Sequence, residues 1–301
     1  RLNGVLGGVI STLNVLCSKG DNVLVQSPTY IGFTHVLENN GYRIVHNPLV
    51  RDEGGIWRLD YEDLEKKIVE NHIHATIFCN PHNPTGRMWT AEELSAVAEI
   101  VEKYNLWIIS DEIHCDLIRA GKKHIPMAKV MTEYKKLITC MSASKTFNMA
   151  GLQFSNIIIR DEVTRNEFKA ADKIGGFVNP LSLVGQKAAY DVGGKWHEEM
   201  KAYLDGNFRF LKEFLEENLP EAVMEIPEAT YLAWVDLSAY FDREDDLPSF
   251  FAYKAGVLLE GGDALFVGNA NRFIRLNLAM PRSIIQTGLE RMRDAILAKN
   301  A

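Results

Sequence analysis

The stretch ATIFCNPHNPTGRMWTAEELSAVAEIVEKYNLWIISDEIH, residues 75–114, holds one full strand–loop–helix–strand cycle. Residues 75–79 are apolar nearly throughout, as in a strand buried on both faces of a parallel sheet. Two Asn-Pro pairs and Gly86 follow and make a rigid, non-helical loop. Thr90 and Glu93 then have capping-box spacing, and Leu94, Val97, Ala98 and Val101 recur at helical intervals. Residues 106–110 are a second apolar strand. Working outward, residues 22–26, 42–46, 137–141 and 155–159 read as further strands, with helical patterns between them. Strands alternating with helices imply an α/β fold, a three-layer arrangement around a mainly parallel sheet. The pattern changes near Asp191-Val-Gly-Gly194. Beyond it lie an amphipathic helix over 195–218, strands over 231–237 and 272–278, and a last helix over 286–299. The expected division is a large domain, residues 1–194, and a smaller C-terminal α+β domain, residues 195–301.

The chain has 301 residues, 47% hydrophobic and 24% charged, with a formal net charge of -7. A mildly acidic surface argues against nucleic acid as the main partner. No apolar run approaches the roughly 20 residues of a membrane span, and no signal peptide is visible. The four cysteines, Cys17, Cys79, Cys115 and Cys140, have neither C-x-x-C nor zinc-type spacing. They read as reduced thiols in a cytoplasmic protein, Cys79 and Cys140 buried in strands.

Three segments place chemistry at strand ends. Ser142-Ala-Ser-Lys-Thr146 sets Lys145 among hydroxyls just after a strand. Ligands of open α/β sheets bind outside the carboxyl ends of the strands. An amine there serves as a nucleophile when its pKa is lowered or when it already forms an imine. Asp111 closes the strand 106–110, where a carboxylate could hold a protonated ring nitrogen. Asn80–Gly86 follows the strand 75–79. Taken singly, each has a plain structural reading: a solvated lysine, a loop carboxylate, a turn. Their convergence on one sheet edge is harder to assign to structure alone.

The segments NPHNPTG (80–86), SDEIH (110–114), SASKTFNMAG (142–151) and RFIRLNLA (272–279) together resemble the class I/II aminotransferase superfamily of fold-type I pyridoxal-phosphate (PLP) enzymes. The resemblance covers essentially the whole chain, and it implies PLP as cofactor, a small amino acid as substrate and a homodimer. Carried over position by position, Lys145 resembles the lysine that bears the cofactor as a Schiff base and acts in catalysis. Asp111 resembles the carboxylate that keeps the pyridinium nitrogen protonated, and Asn83 the partner of the ring's phenolic oxygen. His114 stands where many relatives have a tyrosine. Tyr30 resembles the aromatic that stacks on the ring. Gly4, Val5 and Leu6, with Ser142 and Ser144, align with the phosphate cup at a helix start. Arg275 resembles the arginine that grips the substrate α-carboxylate.

Two departures refine this. Gln153 stands eight residues after Lys145, where many aminotransferases carry a phosphate-binding arginine. With DEIH and SKTFN, this resembles the MalY/PatB branch of cystathionine β-lyases and cysteine-S-conjugate β-lyases. That branch implies α,β-elimination of a cysteine thioether to a thiol, pyruvate and ammonia. An aminotransferase shares Lys145, Asp111, Asn83 and Arg275, so it stays open as the alternative, with a non-catalytic PLP-binding module behind it. The chain also begins at Arg1 without the residues that precede Asn3-Gly4 in relatives. The expectation is therefore a cofactor-competent chain with an incomplete substrate side.

Overall fold

Six short strands with almost no exposed side chain at their centre organise the larger part of the protein. The computed structural model describes residues 4–171, 179–263 and 265–300. In chain order these strands and their neighbours are α1 (Gly4–Leu16), β1 (Asn22–Ser27), α2 (Ile31–Asn39), β2 (Arg43–Pro48), a small hairpin β3 (Val50–Arg51) and β4 (Trp57–Arg58), then α3 (Tyr61–Glu70), β5 (Ala75–Cys79) and α4 (Ala91–Lys103). They continue with β6 (Trp107–Asp111), α5 (Met127–Val130), β7 (Leu137–Met141), β8 (Asn156–Ile159) and α6 (Glu162–Ala171). The sheet order is β2-β1-β5-β6-β7-β8, parallel except for β8, which runs antiparallel to β7.

Alternation along these strands feeds two cores. Val23, Val25, Ile77, Ile109 and Ile138 pack toward α1, α2 and α6 with Val9, Leu13 and Phe168. Leu24, Phe78, Ile108 and Leu137 pack the opposite way, against Leu64, Leu94 and Val101 of α3 and α4. Each such side chain removed from water stabilises the fold by roughly 1.5–3 kcal/mol, so both faces must be covered. That requirement makes the sheet the middle of three layers. Helix α4 starts where its capping box indicates: the Thr90 hydroxyl accepts from the Glu93 N–H at 3.2 Å, and the Thr90 N–H donates to the Glu93 carboxylate at 2.9 Å.

The rest of the chain comprises α7 (Pro180–Val192), α8 (Gly194–Asn218), β9 (Leu232–Asp236), α9 (Leu247–Phe250), β10 (Glu260–Gly261), β11 (Phe273–Asn277) and α10 (Arg282–Lys299). Strands β10-β11-β9 form an antiparallel sheet. Its inner face, with Val235 and Ile274, meets Phe208 and Leu211 of α8 and Ile285 and Leu289 of α10. Gly193 separates α7 from α8 at a close approach: a Cβ there would lie 2.3 Å from the Ala189 carbonyl and 2.6 Å from the Phe147 ring. Helix α10 starts four residues before the expected 286: it opens after Pro281, and its first turn already sends Ile285 into the core. The hairpin and the two-residue β10 were not expected; strands so short leave no periodicity to read.

Candidate active site

The parallel register aligns three strand ends. Cys79 of β5 sits opposite Asp111 of β6, and Asp111 opposite Cys140 of β7. The loops carrying Asn83, His114 and Lys145 leave from that row and open onto one cavity of about 950 Å³. Tyr30, at the start of α2, and Arg275, on β11, close it from other sides.

Asp111 is 5% exposed, and its Oδ1 accepts from the Ile113 N–H at 3.0 Å. Burial pushes its carboxyl up to about 7; the Ile113 N–H and the Lys145 charge act against that rise, and Glu112 adds to it. A cation brought against this carboxylate would restore its charge. The neighbouring Glu112 has a different task. Its Oε1 accepts from the Ser110 hydroxyl and the Met127 N–H, and its Oε2 meets His124 at 2.8 Å, which ties the loop to α5.

His114 is buried, its ring is edge-on to Tyr231 at 6.0 Å, and its Nδ1 has no partner among the described residues. Burial, with the charges of Lys145 and Arg275, lowers its pKa to about 3, so the imidazole is neutral across the physiological range. The Lys145 loop is held from below. The Ser142 hydroxyl donates to the Phe154 carbonyl at 2.5 Å and accepts from the Ser144 N–H at 3.1 Å. Thr146 donates to Asp116 at 3.1 Å.

Asn83 accepts from Arg275 Nη1 at 2.7 Å, which joins the β5 loop to β11. The guanidinium lies 4.8 Å from the Phe266 ring centroid and 5.9 Å from that of Tyr30. Desolvation lowers its pKa to about 10. Its Nη2 pairs with Glu260, the residue opposite it in the β10–β11 register.

Of the residues singled out in the sequence, Gly4, Leu6, Tyr30, Asn83, Asp111, His114, Ser144, Lys145 and Arg275 line the cavity. Two stand apart. Val5 packs its side chain into the core beside α1, which leaves only its backbone, in the helix's first turn, for a ligand. Ser142 is not among the lining residues, because its hydroxyl is engaged by the Phe154 carbonyl; its part is to brace the loop. Gln153 lines the cavity from a left-handed backbone, φ 50° and ψ 47°. Sequence reasoning missed Tyr231 and Glu260, which also line it. Tyr231 had one usable signal, its place immediately before a strand. Glu260 had none, since only the pairing with β11 brings it to Arg275.

Residues 3–292 match the model of the aminotransferase class I and II family. The chain belongs to that family. It is 38% identical over 297 residues to the cystathionine beta-lyase PatB of Bacillus subtilis, covering 97% of this chain and 76% of that protein. The PLP-bound C-S lyase of Staphylococcus hominis superposes with a TM-score of 0.94 at 44% identity, covering 98% of this chain and 77% of that one. Cystalysin of Treponema denticola, which contains a pyridoxal 5'-phosphate cofactor, gives 0.93 at 34% identity, covering 99% and 76%. The fold is thus the fold-type I arrangement. The residues present fit a PLP group: a buried carboxylate whose charge a cation would restore, an imidazole nitrogen without a partner among the described residues, and a lysine all line a cavity of about 950 Å³.

Proposed function

We propose that the protein is a PLP-dependent carbon–sulfur lyase that splits cystathionine or a related cysteine thioether into a thiol, pyruvate and ammonia. The observation that carries this reading is the convergence of Asp111, Lys145 and Arg275 on one cavity, in a chain 38% identical to a cystathionine beta-lyase. When bound, PLP supplies an electron sink for negative charge developing at the substrate Cα. Lys145 is the amine that holds the cofactor and takes the Cα proton, a positioned proton transfer worth about 10²–10⁴-fold. Asp111, at the end of β6, keeps a proton on the ring nitrogen. Its burial suits that role, since a desolvated carboxylate gains most from a cationic neighbour.

Asn83 holds the ring's phenolic oxygen, with neutral His114 beside it, and Tyr30 covers the ring face. The backbone of Gly4, Val5 and Leu6 with Ser144 receives the phosphate. Arg275 fixes the α-carboxylate and so sets which Cα bond is aligned for cleavage. After the Cβ–S bond breaks, the thiol leaves, and the released three-carbon enamine hydrolyses to pyruvate and ammonia. Gln153 favours the lyase over the transaminase. A transaminase must retain a cofactor that has lost its covalent link, and a neutral amide gives the phosphate a weaker grip than an arginine.

In the same reading, residues 1–194 form the PLP-binding domain and 195–301 the small domain. The chain pairs as a homodimer, supported by α7, which exposes Leu181, Leu183, Val184 and Val192. Among the described residues no helix is long and apolar enough to cross a membrane. All four cysteines are unpaired, which supports a reducing, cytoplasmic compartment. The deciding experiment is product analysis with cystathionine and PLP. Sustained pyruvate and ammonia without added keto acid is the expected result; strict dependence on 2-oxoglutarate or pyruvate would show a transaminase.

A further inference from the structure

The proposed role of Arg275 accounts for how an amino acid is held by its α-carboxylate, but says nothing about the group attached to sulfur. The cavity extends past Arg275 along residues 256–260 and the facing side of α10, where Thr287, Gly288 and Arg291 line it. Among the described residues, its charged lining is Lys145, Arg275 and Arg291 on the cationic side, with Asp111 and Glu260 on the anionic side. Lys145 and Asp111 belong to the strand-end row. Arg275, in the reading above, is taken by the α-carboxylate. Glu260 and Arg291 remain to meet whatever the sulfur carries.

Their surroundings separate them. Glu260 is opposite Arg275 on the adjacent strand, and such cross-strand pairs have Cβ atoms about 4.5–5.5 Å apart. It therefore stands within a side chain's length of the point where the α-carboxylate docks. Its side chain is 47% exposed while that of Arg275 is 10% exposed, so Glu260 can turn from the guanidinium toward the cavity. The wall between Gly256 and Glu260 is Val257, Leu258 and Leu259, whose apolar side chains offer a charge no polar partner. Arg291 lies at the other end of that run, its Nη1 3.9 Å from the Cβ position of Gly256. Four residue steps of chain separate the two ends, about 13 Å at full extension.

Resting on the lyase reading, we infer that Glu260 selects the leaving-group arm, favouring thioethers whose arm ends in an ammonium and disfavouring those that end in a carboxylate. A substrate carboxylate displaces Glu260 from Arg275 or shares that cation with it. In both cases one negative charge of the protein faces the start of the arm. An ammonium there replaces the partner that Glu260 gives up. A carboxylate there meets a like charge.

The test uses the holoenzyme and three thioethers of similar size: S-(2-aminoethyl)-L-cysteine, S-propyl-L-cysteine and S-carboxymethyl-L-cysteine. Pyruvate release gives kcat/KM, and titration of the cofactor's visible band gives binding for each compound. The expected order is cationic, neutral, anionic, with roughly tenfold or more between the extremes, as like-charge contacts at recognition surfaces produce. In Glu260→Gln, which keeps the size of the side chain, that spread should collapse to within about threefold. A flat order in the wild-type protein, or a spread unchanged in the variant, overturns the inference. A reversed order also overturns it and points to Arg291. If S-propyl-L-cysteine yields no pyruvate, the lyase reading fails instead, and the binding order still decides the role of Glu260.

Discussion

The two sheets contribute to one cavity in opposite ways. The parallel sheet offers groups from the ends of three adjacent, buried strands; Asp111 is 5% and His114 2% exposed there. The antiparallel sheet offers Arg275 and Glu260 from a pair whose outer strand is only two residues long, with Glu260 half in solvent. The difference teaches how the labour is divided. Asp111 and His114 sit where burial moves their titration, the carboxyl up and the imidazole down. Of the second pair, Arg275 is largely buried and Glu260 sits at a solvated edge, where its side chain can exchange partners.

The most severe test of that division is at the strand-end row. Lys145→Ala should eliminate pyruvate release, a loss of at least about 10²–10⁴-fold, together with the visible band that borohydride removes. A variant that retains a reducible band would place the cofactor on another lysine. Asp111→Ala should lower kcat by a comparable factor while far-UV circular dichroism stays native. Near-normal turnover would sink its assignment to the ring nitrogen.

Asp111 should also leave a mark on stability. Without cofactor its carboxyl is pushed up to about 7, against an ordinary value of 3.8. The folded state then binds a proton that the unfolded chain releases. This contribution is fully present below pH 3.8 and is lost as pH rises toward 7. Asp111→Asn preserves the acceptor for the Ile113 N–H and removes the titration. The cofactor-free variant should therefore gain on the wild-type protein across that window, by on the order of a few kcal/mol. Melting curves of both proteins from pH 4 to 8 would show it, and parallel pH profiles would contradict it.

On the antiparallel side effects should be smaller and confined to binding. Arg275→Ala removes a charge-assisted pair worth about 1.5–3 kcal/mol. It should raise KM for the amino acid and weaken carboxylate analogues more than it lowers kcat. If kcat falls and KM stays, the arginine works on the chemistry and the division between the sheets breaks. Smallest of all, Thr90→Ala removes the cap of α4, which is not among the residues that line the cavity. It should cost about 1 kcal/mol of stability with kcat/KM unchanged, as denaturant unfolding and a standard assay would show.

The sequence by itself determined the local chemistry. Apolar runs marked six strands to within a residue or two, and Thr90 and Glu93 marked the start of α4 because a capping box is a local hydrogen-bond pattern. Three strand-end segments marked Asn83, Asp111 and Lys145, because parallel strands deliver their following loops to a common edge. Only the tertiary structure decided contacts between distant segments. The register Cys79–Asp111–Cys140 set the row, and the Phe154 carbonyl claimed the Ser142 hydroxyl. Pairing of β10 with β11 brought Glu260 to Arg275. Such contacts depend on strand order and on which donors burial leaves competing for one acceptor, and neither is written in the neighbourhood of the residues involved.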